Sequence, residues 1–140
     1  NEVLERVLAY IERRASNKVK IVRQFPSNSI KVKMNASLFE WVIENLCKNA
    51  IDAMDGQGTI TLRVTDAERK VEVEVEDTGK GIAKSHRKMV FTPGFTTKKR
   101  GWGLGLSLAK RIVEEYHKGR IYVKSSEVNK GTIFCVELKK

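Results

Sequence analysis

The chain is 140 residues long, 41% hydrophobic and 31% charged, with a formal net charge of +10. That length holds one domain with its own core, the composition excludes a disordered chain, and no apolar run approaches the ~18 residues that cross a bilayer. The positive balance suits an anionic partner, whether nucleic acid, acidic protein, membrane surface or phosphate-rich ligand, or is simply a basic surface.

Apolar residues at Val3, Leu4, Val7, Leu8 and Ile11 have helical spacing and predict a helix over Glu2 to Ala15. Two strands are expected next, Lys18 to Phe25 and Ile30 to Met34, around the turn Pro26-Ser27-Asn28-Ser29. Asn35 is placed to cap a long helix from Ala36 to Met54, which Asp55-Gly56-Gln57-Gly58 ends. Strands follow over Thr59 to Thr65 and Val71 to Glu76. In the second, Val71, Val73 and Val75 alternate with Glu72, Glu74 and Glu76, which predicts one buried face and one wet face.

Periodicity then fades between Asp77 and Gly105, a stretch that holds six of the ten glycines. A loop of that length inside a compact domain is usually functional. A helix is expected from Leu106 to His117 with Gly119 as its stop, then a closing hairpin of Arg120 to Ser125 and Thr132 to Leu138. This order predicts an α/β two-layer sandwich: a mixed, mostly antiparallel sheet covered on one face by about three helices. Cys47 and Cys135 lie in no metal or redox spacing and read as two structural thiols, in keeping with a reducing cytoplasm.

Four sites carry candidate chemistry. In Glu44-Asn45-Leu46-Cys47-Lys48-Asn49-Ala50, Asn45 and Asn49 stack one turn apart on a helix face that Leu38 and Val42 share. Amides there either bond a neighbouring loop or offer a hard neutral oxygen to a Mg²⁺ that already holds phosphate. Asp77, opening Asp77-Thr78-Gly79-Lys80-Gly81, falls on the buried side of its strand and needs a donor. The exocyclic amine of adenine would serve, and so would the donors of an ordinary Asp-Gly turn.

The third site, Phe91-Thr92-Pro93-Gly94-Phe95-Thr96-Thr97-Lys98-Lys99-Arg100, sets three successive cations behind two aromatics. It is either a basic surface loop or a phosphate-facing lid. The fourth, Gly101-Trp102-Gly103-Leu104-Gly105-Leu106-Ser107, turns backbone N–H groups inward at a helix start, as a phosphate cradle does. A GxGxG alone is equally a flexible loop, and the Walker pattern GxxxxGK[ST] is absent.

Taken in order, these motifs resemble the catalytic and ATP-binding domain of bacterial sensor histidine kinases, in the superfamily that also holds gyrase, Hsp90 and MutL ATPases. Glu44 to Ala53 is similar to the N box, Asp77 to Gly81 to the first glycine box, Phe91 to Phe95 to the F box and Gly101 to Gly105 to the second glycine box. The resemblance spans nearly the whole chain and implies a Bergerat-type fold with a long ATP lid, as a single domain over residues 1–140.

It also implies roles. Asn49 would coordinate Mg²⁺ with Asn45 in support, and Asp77 would accept from adenine with Gly79 and Gly81 lining the base. Thr132 would reach adenine through water. Gly101, Gly103, Gly105 and Leu106 would line the nucleotide's phosphate end, and Lys98 would contact phosphate from the lid. Asn45, Asn49 and Lys98 form the implied catalytic set. Trp102 and Asp52 depart from the family's usual residues.

The implied activity is transfer of the γ-phosphoryl group of ATP to a histidine, as the transferase of a two-component phosphorelay in signal transduction. Neither His86 nor His117 has the surroundings of a phosphoacceptor, so the acceptor is expected on a separate dimerisation segment, with a response regulator downstream. The chain is expected to be a fragment and a cytoplasmic domain. A membrane anchor of the parent would lie outside it, and neither nucleic acid nor membrane is an expected contact. The alternatives on this fold are a stand-alone ATPase and a serine protein kinase. A basic nucleic-acid module is a third reading, which the core-like placement of most aromatics disfavours.

Overall fold

A computed structural model describes residues 2–14, 17–26, 30, 32, 34–87, 89–91 and 105–140. The elements run α1 (Glu2–Arg14), β1 (Val19–Gln24), α2 (Ala36–Ala53), β2 (Gly58–Asp66), β3 (Lys70–Asp77), α3 (Gly105–Arg111), β4 (Arg120–Glu127) and β5 (Gly131–Lys139). Short 3₁₀ turns at Lys84–His86 and Met89–Phe91 precede α3, and a π-helical turn at Ile112–Tyr116 continues it. The sheet order is β1-β2-β3-β5-β4.

Among the described residues only the β1–β2 pair is parallel, with Val19 opposite Gly58 and Ile21 opposite Ile60. The other pairs are antiparallel. The expected mixed two-layer architecture is therefore present. Leu4, Val7, Leu8 and Ile11 of α1 and Phe39, Val42, Ile43 and Leu46 of α2 bury against Ile60, Leu62, Val73, Val75 and Val136 of the sheet. Arg6 of α1 pairs with Glu40 of α2 at 2.6 Å, and Arg23 of β1 reaches Glu5 and Glu12 of α1.

The cap at Asn35 is as the sequence predicts: its side chain accepts from Leu38 N–H at 3.0 Å. The expected strand over Ile30 to Met34 is not formed at its described residues, Ile30, Val32 and Met34. Ile30 and Val32 instead pack their side chains against the core, while β1 takes β2 as its partner. Alternation there reports two partly buried side chains, not a ladder.

The helix stop also differs. Lys118, not Gly119, takes the left-handed conformation, with φ 58°, and Gly119 N–H closes the end on Val113 C=O at 2.8 Å. The wet face of β3 is not uniformly wet either. Glu74 is only 4% exposed, because Arg63 of β2 and Lys124 of β4 lie across it and pair with it. No helix among the described residues is long and apolar enough to cross a membrane.

Candidate nucleotide-binding site

β3 delivers Asp77 at its last position, on the face of Val71, Val73 and Val75, and the carboxylate is 4% exposed. Its Oδ1 accepts from Gly79 N–H at 2.8 Å, and the N–H of Thr132, its partner across β5, also donates to the carboxylate. Burial nevertheless pushes the Asp77 carboxyl above its ordinary value, the two backbone donors opposing it. An ionised carboxylate offers about four lone-pair positions. Two backbone bonds leave acceptor capacity at a buried site, which an amine donor would use.

Thr132 is 4% exposed, and its Oγ1 lies 2.8 Å from Ser126 Oγ. Ser126 in turn accepts from Ile82 N–H at 2.7 Å, so the loop after the first glycine box is tied to the β4–β5 end. Gly81 sits in that loop with φ +76°, and a Cβ on it would come within 2.3 Å of Glu127 C=O. No other residue fits there without moving the strand. Lys80 N–H donates to Ala53 C=O at 2.9 Å, and Thr78 Oγ1 to Met54 Sδ at 3.4 Å. The same loop is therefore also fastened to the end of α2.

Asn45 and Asn49 project from α2, both half-buried. Asn45 Nδ2 donates back to Trp41 C=O at 3.1 Å. That bond leaves its oxygen pointing at the start of α3, where a Cβ on Gly105 would stand 2.8 Å from Asn45 Oδ1. The asparagine face and the second glycine box thus meet at Gly105. Glu44 is turned to another side of the helix and pairs with Lys48 at 2.9 Å.

Leu106 directs its side chain against the core. Phe91 stacks edge-on to Phe134 with centroids 6.1 Å apart, and Lys110 of α3 lies over its ring at 5.7 Å. Lys98, Gly101 and Gly103, with the rest of residues 92–104, lie outside the described residues.

The structure therefore groups Asp77, Gly79, Gly81 and Thr132 at one corner and Asn45 with Gly105 at another. Sequence reasoning missed Ser126, the Ala53 carbonyl and Met54, which hold the first corner together. The register of β4 on β5, which sets Ser126 opposite Thr132, is the signal that would have found Ser126. Only an assembled sheet supplies it.

The donor set fits the group it is expected to hold. Asn49 offers a neutral hard oxygen suited to Mg²⁺ that takes most of its ligands from phosphate, and the spare acceptor at Asp77 fits an adenine amine. Residues 34–140 match the family model for histidine kinase-, DNA gyrase B- and HSP90-like ATPases. The chain is 36% identical over 141 residues to sensor histidine kinase ZraS of Salmonella typhi, across 99% of this chain and 30% of that protein. It is 34% identical to sporulation kinase A of Bacillus subtilis, across 99% of this chain and 23% of that one. Among solved structures it superposes on the nucleotide-free catalytic domain of histidine kinase ThkA with TM-score 0.90 at 31% identity, covering 100% of this chain and 91% of that one. The same kinase in complex with the response regulator TrrA matches with TM-score 0.86 at 28% identity, covering 100% of this chain and 40% of that one.

Proposed function

We propose, from the premise that the chain belongs to the histidine kinase-, DNA gyrase B- and HSP90-like ATPase family, that it binds Mg-ATP and donates the γ-phosphoryl group to a histidine on a separate dimerisation segment. The chain spans under a third of the length of ZraS and sporulation kinase A, 30% and 23%. The activity of a whole kinase is accordingly part of this proposal, as are a response regulator as downstream partner and a cytoplasmic position.

The observation that carries the reading is Asp77, a buried carboxylate with acceptor capacity to spare beside Thr132 and Gly79. It would take the adenine amine, with Gly81 lining the base and Thr132 and Ser126 offering hydroxyls to a bridging water. Asn49 would hold Mg²⁺, which when bound supplies charge neutralisation for the phosphates. Asn45 and Gly105 would border those phosphates, with Lys98, Gly101 and Gly103 assigned to them by the resemblance.

Superfamily ATPases orient water with a glutamate at the position Asn45 occupies. An amide cannot take a proton from water, and general-base help is commonly worth ~10²–10⁴-fold. Glu44, the nearest carboxylate in sequence, is held by Lys48. The domain should therefore bind ATP yet turn it over very slowly. A phosphate-release assay checks this: robust turnover that Glu44→Gln abolishes would favour the ATPase reading over the kinase.

A further inference from the structure

The α3 helix and the π turn that continues it touch α2 at both of their ends. At one end Asn45 of α2 lies against Gly105, the first residue of α3. At the other, the His117 ring accepts the Asn35 N–H at Nε2, 3.0 Å, and faces Ile112 C=O with Nδ1 at 2.9 Å. Asn35 is the cap of α2, and His117 closes the π turn that continues α3. The two helices therefore run antiparallel between two fixed points.

A carbonyl only accepts and a backbone amide only donates, so the ring donates from Nδ1 and accepts at Nε2. Both nitrogens are in use, and Tyr116 packs against the ring at 61° with centroids 5.1 Å apart. The π turn puts the ring there. His117 N–H bonds Ile112 C=O at 3.1 Å, spanning one residue more than an α turn does. Without that extra residue, the side chain at this point would be rotated by about 100° around the axis, off α2.

We propose that His117 is a positioning residue for the phosphate end of the site. By pinning the far end of the α3 helix to the cap of α2, it sets the register in which Gly105 meets Asn45. The proposal rests on the nucleotide reading above. The adenine corner of Asp77, Thr132 and Ser126 hangs on the sheet and the first glycine loop, and none of its described bonds runs through His117. A disturbed pin should therefore cost phosphate binding and spare the base.

The test titrates adenosine and a non-hydrolysable ATP analogue with Mg²⁺ onto the wild-type domain, His117→Asn and His117→Gln, each checked for folding by circular dichroism. Asparagine keeps a donor near Nδ1 and loses the acceptor at Nε2, and glutamine restores an acceptor at that reach. The expected result for His117→Asn is an affinity for the ATP analogue lowered about five- to tenfold, the size of one lost hydrogen bond, with adenosine affinity unchanged. His117→Gln should recover most of the loss.

An equal loss for both ligands, or no loss for either, overturns the positioning role. If the asparagine variant does not fold, His117→Phe, which keeps the ring's bulk and removes both of its bonds, takes its place in the same comparison. A wild-type domain that binds neither ligand instead sinks the nucleotide reading, and the positioning role with it.

Discussion

Burial raises the proton affinity of the Asp77 carboxyl, and the N–H groups of Gly79 and Thr132 oppose it without cancelling it. A group whose folded pKa lies above its unfolded value contributes stability that is present below the unfolded pKa and lost as pH rises through the folded one. Ionised Asp77 therefore costs stability at neutral pH. Asp77→Asn removes that charge but turns a donor toward adenine's own donor. Nucleotide affinity should fall by about 1–3 kcal/mol in isothermal titration, while the melting temperature at pH 7 rises above wild type. The gain should shrink at acid pH, where wild-type Asp77 is itself protonated. Unchanged affinity would remove Asp77 from the adenine site. Its buried position was legible from strand alternation, and the Asn35 cap from its place before an apolar period. The contact of Asn45 with Gly105 was not, because it depends on where α3 lands on α2.

On the open side of the sheet, charged side chains tie strand to strand, Lys124 reaching Glu74 across β5. Glu74 of β3 lies between Arg63 of β2 and Lys124 of β4, while Glu137 of β5 takes the Tyr122 hydroxyl at 2.7 Å and faces Lys70 and Arg120. Burial pushes the Glu74 carboxyl up, yet the bonds and charges of Lys124 and Arg63 bring it below its ordinary 4.5. The sign is the reverse of Asp77: this stability is present above the unfolded pKa and disappears as pH falls through the lowered folded value. Glu74→Gln should cost about 1–3 kcal/mol at pH 7, as for hydrogen bonds to a charged group. It should also flatten the loss of stability below about pH 4.5, as followed by urea unfolding. Equal pH profiles for the two proteins would show that Glu74 contributes nothing by its charge. Alternation alone counted Glu74 as wet because it sees one strand at a time. The long arms that cover Glu74 come from β2 and β4. The same blindness turned Ile30 to Met34 into a strand: periodicity marks which side chains are buried, not what the backbone pairs with.

For the whole domain, the governing expectation is that neither of its histidines takes phosphate from ATP. Both His117 nitrogens are occupied by Ile112 C=O and Asn35 N–H, so the ring has no free lone pair for phosphorus. The domain incubated with labelled ATP should therefore gain no acid-labile phosphate on His117, and transfer should appear when dimerisation helices with an acceptor histidine are supplied separately. Label on the domain by itself, mapped to His117 by mass spectrometry, would contradict this. The fold class, the four motifs and their order were readable because local patterns encode them. The pairing of corners was not, because it is made by sheet register and helix packing across the chain.

The two thiols lend themselves to timing. Cys47 lies on α2 between Asn45 and Asn49, Cys135 lies on β5, and neither has exposed surface. Burial, with the Glu44 charge nearby, pushes the Cys47 thiol up to about 12, so in the closed protein it is a poor nucleophile as well as a shielded one. A disulfide reagent can then react only in molecules that have opened, and each cysteine becomes a clock for its own element. Singly substituted proteins, Cys47→Ala and Cys135→Ala, would let each clock be read alone. A ligand that fastens α2 to the loops around it should slow the Cys47 clock more than the Cys135 clock. The ratio of the two labelling rates, with and without Mg-ATP analogue, would then show where in the fold binding energy is stored.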